Sequence, residues 1–158
     1  MHDDGEPTGD GPELDPILRT SAIAVLEHAH RPYSGLAVGA AVEVALRDGS
    51  RAVLSGANVE NASYGLTMCA ERVAIGSAVS AGAVRVLRVV IAVDAEHPLP
   101  PCGACRQVIA EFAAPDVEVL CISTGGGEQR TTVGELLPGA MGAGDLPSSA
   151  QSGPSPQA

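Results

Sequence analysis

Residues Val84 to Val93 read VRVLRVVIAV, an apolar run interrupted only by Arg85 and Arg88. A strand solvated on one face would alternate apolar and polar residues. A nearly unbroken run of β-branched residues is typical of a strand buried on both faces. Such a strand needs a covering layer on each side, so the chain is constrained to a sheet with helices packed against it.

The flanking segments supply those layers. Leu14, Leu18, Ala22, Val25 and Ala29 recur at helical spacing, with Asp15-Pro16 as cap and first turn and His28 and His30 closing the helix. The runs AVGAAVEVAL and AVLSGANV flank Arg47-Asp48-Gly49-Ser50 and read as a β-hairpin. Cys69 to Ala81 places Ala70, Val73, Ala74 and Ala78 on one helical face, and Cys102 to Phe112 reads as a third helix. Val117 to Ser123 is a second buried strand, and Gly125-Gly126-Gly127 a turn. The order α-β-β-α-β-α-β predicts an α/β domain with a mixed sheet. Residues 1–13 and 139–158, rich in Pro, Gly, Ser and acidic residues, read as disordered tails around a folded unit at 14–138.

Charge narrows the class of ligand. The 158 residues carry nine basic side chains, all Arg, against nineteen acidic ones, a net charge of −10. Nucleic-acid binders present a basic face, so a small molecule is favoured over a polymer. No stretch approaches the roughly 18 apolar residues needed to span a bilayer, and the acidic start MHDDGEPTGDGP does not resemble a secretion signal. The cytoplasm, where thiols stay reduced, is the expected compartment.

The chemistry is carried by cysteine. Cys102-Gly103-Ala104-Cys105 could be a redox pair, half of a metal site or a local disulfide. Cys69 and Cys102 each open a predicted helix just after a loop, and helix N-termini favour thiolates. Three sulfurs, Cys69, Cys102 and Cys105, could then converge on one metal. Three protein ligands with a fourth place for water is the catalytic rather than the structural zinc pattern. Cys121, inside VEVLCIS, reads as a small buried hydrophobe. Glu71, two residues beyond Cys69, can lie near a metal's water without ligating the metal, where a proton carrier belongs. The plainer role for an acid there is to favour a helix N-terminus.

These residues stand within a larger ordered set. It comprises Pro32-Tyr33-Ser34, Val38-Gly39-Ala40-Ala41, Asn58-Val59-Glu60-Asn61-Ala62-Ser63-Tyr64-Gly65, Cys69-Ala70-Glu71-Arg72, Pro101-Cys102-Gly103-Ala104-Cys105-Arg106-Gln107 and Glu135-Leu136-Leu137-Pro138. From Leu14 to Pro138 the chain resembles the cytidine deaminase family, of the small three-cysteine kind. The resemblance implies a three-layer α-β-α sandwich around a mixed sheet of about five strands, and a homotetramer without nucleic-acid or membrane partners. It implies one zinc per chain on Cys69, Cys102 and Cys105, with Glu71 as general acid/base. Asn58 and Glu60 would bind the ribose 3′-hydroxyl, the Ala70 backbone would meet the base edge, and Arg72 would withdraw density from the sulfurs. The implied reaction is hydrolytic deamination of cytidine or 2′-deoxycytidine in pyrimidine salvage.

Two positions depart from the family pattern. Leu36 and Met141 stand where family members usually carry Phe, the first against the pyrimidine and the second in a neighbouring subunit's pocket. The departures keep two alternatives open. One is a deaminase of another amino-heterocycle or modified nucleoside, in secondary metabolism. The other is a non-catalytic zinc-stabilised binding module, against which Glu71 speaks.

Overall fold

The computed structural model describes residues 14–146. Five strands, β1 (Val38–Leu46), β2 (Arg51–Ala57), β3 (Ala83–Val93), β4 (Glu118–Ser123) and β5 (Glu128–Thr132), form one sheet in the order β2-β1-β3-β4-β5. Only β3 and β4 run parallel; the other pairs are antiparallel. The helices are α1 (Leu14–Ala24), α2 (Ala70–Ser80), α3 (Gly103–Phe112) and the short α4 (Val133–Leu136).

Side chains of β3 show why this sheet needs two coats. Val89 and Ile91 pack with Ala74 and Ile75 of α2 and Ile109 of α3. The alternate residues Val90 and Ala92 pack with Leu18 and Ala22 of α1 on the opposite face. The result is a three-layer α-β-α arrangement, with burial on both faces confined to Val89–Val93; Val84 and Arg85 remain exposed. Between these halves the register with β1 shifts, Glu43 pairing with Arg88 but Val44 with Val86. A bulge of this kind leaves one extra residue on the longer strand, here Leu87.

Two glycines set the layer spacing. A Cβ on Gly39 would stand 2.1 Å from the Ala22 carbonyl oxygen of α1, and one on Gly56 2.5 Å from the Ala74 nitrogen of α2. Helix backbones therefore approach both faces more closely than any side chain on these strand residues would allow.

The hairpin is present with Asp48-Gly49 at its turn, where Asp48 accepts hydrogen bonds from the Ser50 amide and hydroxyl. Other expectations need correction. The α1 helix begins at Leu14, so Asp15 lies inside its first turn, bonded to Arg19. The regular helix stops at Ala24 and a 3-10 turn ends at His28, so His30 closes no helix. Instead the His30 amide bonds the Asn58 carbonyl, tying the loop after α1 to the end of β2. The fifth strand follows the glycine turn with the polar sequence EQRTT. The tail expected at 1–13 lies outside the described residues, as do residues 147–158 of the other tail. No helix among the described residues is long and apolar enough to cross a membrane.

Candidate active site

Cys69 and Cys102 are the N-cap residues of α2 and α3, and Cys105 lies in the first turn of α3. Both helices start at one place because each follows a loop leaving the same end of the sheet. Their sulfurs gather within 4.8 Å of one another, with Cys69 and Cys102 Sγ 3.8 Å apart. Tetrahedral zinc with Zn–S bonds of about 2.3 Å holds its sulfurs about 3.8 Å apart. The trio therefore fits one zinc ion. Cys121 stays out of it, buried on β4, where burial pushes its thiol up to about 11.

The electrostatics favour an anionic sulfur at Cys69. Hydrogen bonding from the Cys105 thiol and from Arg72 pulls Cys69 down to about 5, against the opposing effect of burial. Cys105 is pushed upward because it gives that hydrogen bond and is itself buried. Three sulfurs this close share protons unless a cation sits among them. Two helix N-termini add partial positive charge. The Arg72 guanidinium donates to the Thr67 carbonyl at 2.7 Å and reaches the Cys69 sulfur at 3.9 Å. Its Nε is buried and has no hydrogen-bond partner, so this cation is held beside the sulfurs despite an unsatisfied donor.

Glu71 follows in the first turn of α2, only 4% exposed. Burial raises its carboxyl above the usual range, and the negative charge on Cys69 adds to that; a Cys105 hydrogen bond and Arg72 act in the opposite sense. Burial of this kind makes the carboxyl easier to protonate than an exposed glutamate.

Cys69, Cys102 and Glu71 line a cavity of about 240 Å³. Cys69, Ala70, Glu71 and Cys102 lie at its base, and Leu36, Val38, Ile91, Val93, Leu99 and Pro100 supply apolar walls. Asn58, Glu60, Ser34 and Thr67 bring polar atoms to it. A volume of this size suits one small molecule. The family model for the cytidine and deoxycytidylate deaminase zinc-binding region matches residues 14–121.

The chain belongs to this deaminase family. A cytidine deaminase of Halalkalibacterium halodurans is 48% identical over 130 residues, covering 82% of this chain and 96% of that protein. One from Sporosarcina psychrophila is 44% identical over 120 residues, 76% of this chain and 85% of that protein. The solved cytidine deaminase of Burkholderia pseudomallei superposes with a TM-score of 0.72 at 42% identity, covering 80% of this chain and 98% of that one. Membership makes the chain a zinc-dependent hydrolytic deaminase, and the three-cysteine cluster is a site that can hold the ion.

Most residues singled out from the sequence meet in this cavity. Cys105 and Arg72 stand against Cys69 without lining the cavity, and Met141 is 62% exposed, with its carbonyl bonded by Gln107. Asn58 and Glu60 reach the cavity with other work already in hand. Asn58 donates to the Leu36 carbonyl at 3.0 Å and accepts from the Val38 amide at 2.8 Å. Glu60 accepts from the amides of Tyr33 and Ser34 and from the Ser34 hydroxyl. Sequence reasoning assigned no role to Ser34 or Thr67, although Ser34 stands in one of the quoted motifs.

Arg106 is a third residue passed over. It donates to the Pro101 carbonyl at 2.8 Å and the Leu136 carbonyl at 3.0 Å, joining the loop before Cys102 to the end of α4.

Proposed function

We propose that this protein converts cytidine and 2′-deoxycytidine to uridine and 2′-deoxyuridine with release of ammonia. Glu71 carries protons, and Cys69, Cys102 and Cys105 ligate one zinc. The observation that supports this best is a buried carboxyl and a cluster of three sulfurs, two of which line a cavity sized for one small molecule together with that carboxyl. Zinc held there would acidify a water near neutral pH. Glu71 takes a proton from the attacking water and delivers it to ring N3, then takes the remaining proton from the new C4 hydroxyl and delivers it to the departing 4-amino group. One C–O bond forms at C4 and one C–N bond breaks, so one water enters and one ammonia leaves. Ala70, fully buried at the start of α2, offers its backbone to the base edge.

Asn58 and Glu60 take the sugar 3′-hydroxyl. An amide has two N–H donors and a carboxylate about four acceptor sites. With the loop bonds in place, Asn58 retains one donor and Glu60 about one acceptor site. One hydroxyl needs just one of each. A carboxylate there also repels a 5′-phosphate, favouring a nucleoside over a nucleotide. Arg72 draws density from the sulfurs, which keeps the metal acidic despite three thiolates.

A second reading, a different aminopyrimidine nucleoside, is favoured by one observation. Among the described residues lining the cavity none is aromatic, and Leu36 forms part of the wall. Ammonia release from zinc-loaded protein, measured over cytidine, deoxycytidine and substituted aminopyrimidine nucleosides, separates the two. Efficient cytidine turnover by wild type that Leu36→Phe leaves unchanged supports the first. Turnover restricted to substituted nucleosides supports the second, and no turnover of any of them refutes both.

The working unit is residues 14–138, in the cytoplasm, where three free thiols stay available to zinc. We propose that it assembles as a homotetramer. Tyr64, Leu66, Met68 and Leu99 are exposed on loops next to the site, and so is Met141, which would enter a neighbour's pocket. Light scattering that finds an active monomer would refute the assembly.

A further inference from the structure

We propose that Ser34 is a positioning residue for substrate recognition, its hydroxyl holding both the sugar-binding carboxylate of Glu60 and the cavity wall at Leu36. The Ser34 hydroxyl donates to Glu60 Oε1 and accepts from the Leu36 amide at 3.0 Å. The other carboxylate oxygen, Oε2, accepts from the amides of Tyr33 at 2.9 Å and Ser34 at 3.1 Å. Leu36 is thus held at its N–H by Ser34 and at its carbonyl by Asn58. Between them Gly35, at φ +72°, turns the chain, and Arg31 donates to its carbonyl at 2.6 Å.

The donor and acceptor inventory makes the serine specific. A hydroxyl gives one proton and still accepts. Here the proton goes to Glu60 and a lone pair to Leu36, so one small group serves both sides of the cavity mouth. An alanine can do neither. Without the hydroxyl, Glu60 Oε1 loses its only loop donor and the carboxylate can turn about the Oε2 contacts. The Leu36 amide loses its partner, and the wall against the base loosens. Neither change touches Glu71 or the sulfurs, so binding should suffer and the chemical step should not. The consequence for the sugar rests on the proposed role of Asn58 and Glu60.

The test uses zinc-loaded wild type, Ser34→Ala and Ser34→Thr, with kcat and KM measured for cytidine and 3′-deoxycytidine. A hydrogen bond to a charged group is worth about tenfold or more, and only part of its loss passes on to the substrate. For Ser34→Ala the expected result is a KM for cytidine raised about 3- to 10-fold with kcat within about twofold. The preference for cytidine over 3′-deoxycytidine should shrink by a similar factor, and Ser34→Thr, which keeps the hydroxyl, should restore both. A Ser34→Ala protein equal to wild type in KM and sugar preference overturns the proposal. So does a Ser34→Thr protein as impaired as Ser34→Ala, because side-chain shape would then be the cause. If Ser34→Ala fails to fold, Ser34→Gly tests the same loss of the hydroxyl. A wild type that does not discriminate against 3′-deoxycytidine would instead refute the sugar-binding role of Asn58 and Glu60.

Discussion

Gly56 shows how closely catalysis depends on the spacing between layers. On β2 it faces α2, and a Cβ there would stand 2.5 Å from the Ala74 nitrogen, 2.8 Å from Val73 Cγ1 and 2.9 Å from the Val73 carbonyl carbon. Comfortable carbon contacts lie at about 3.5–4.0 Å. Two of the three atoms belong to helix backbone and cannot swing aside, so Gly56→Ala must push α2 outward by about 1 Å. Overpacking of this kind costs about 1–3 kcal/mol. The same helix carries Cys69 at its cap and Glu71 in its first turn, and a displacement of about 1 Å can cost about 10²-fold in rate. Gly56→Ala should therefore melt several degrees lower and lose about 10²-fold in kcat/KM, assayed zinc-loaded and well below its melting temperature. Gly76→Ala on the same helix is the control: nothing lies within 4 Å of a Cβ at that exposed position. It should gain about 0.5–1 kcal/mol of stability from helix propensity alone and keep its activity. A Gly56→Ala protein with wild-type melting and kcat/KM would refute the reasoning, because the sheet would then have yielded without moving the site.

Glu71→Gln should bind zinc and melt no lower than wild type, since the buried amide needs no ionisation, while kcat falls about 10²–10⁴-fold or more. Near-normal turnover in that zinc-loaded protein would exclude Glu71 as the proton carrier. Arg106→Met keeps the stem but leaves the Pro101 and Leu136 carbonyls without their donor, at a cost of about 1–3 kcal/mol. It should release zinc to a chelator faster than wild type, and an unchanged release rate would show that the loop before Cys102 needs no such tether.

Local chemistry was legible in the residues themselves. The spacing from Cys69 to Glu71, the pair Cys102 and Cys105, and the placement of each sulfur at a helix start follow from short-range rules of capping and periodicity. The run Val84–Val93 announced a doubly covered sheet for the same reason, since apolar side chains on both faces have to be buried. The polar strand Glu128–Thr132 carries no such signal: it lies at the sheet edge with its first three residues exposed, so neither face imposes a hydrophobic pattern. Only the tertiary structure decided how the cavity mouth is held. Glu60 meets Tyr33 and Ser34 from 27 and 26 residues away, Asn58 meets Leu36 from 22, and Arg106 meets Leu136 from 30. Separations like these leave no period in a sequence. The first three arise because antiparallel pairing sets Gly39 opposite Ala57, bringing the loop before β1 beside the end of β2, where polar groups find partners.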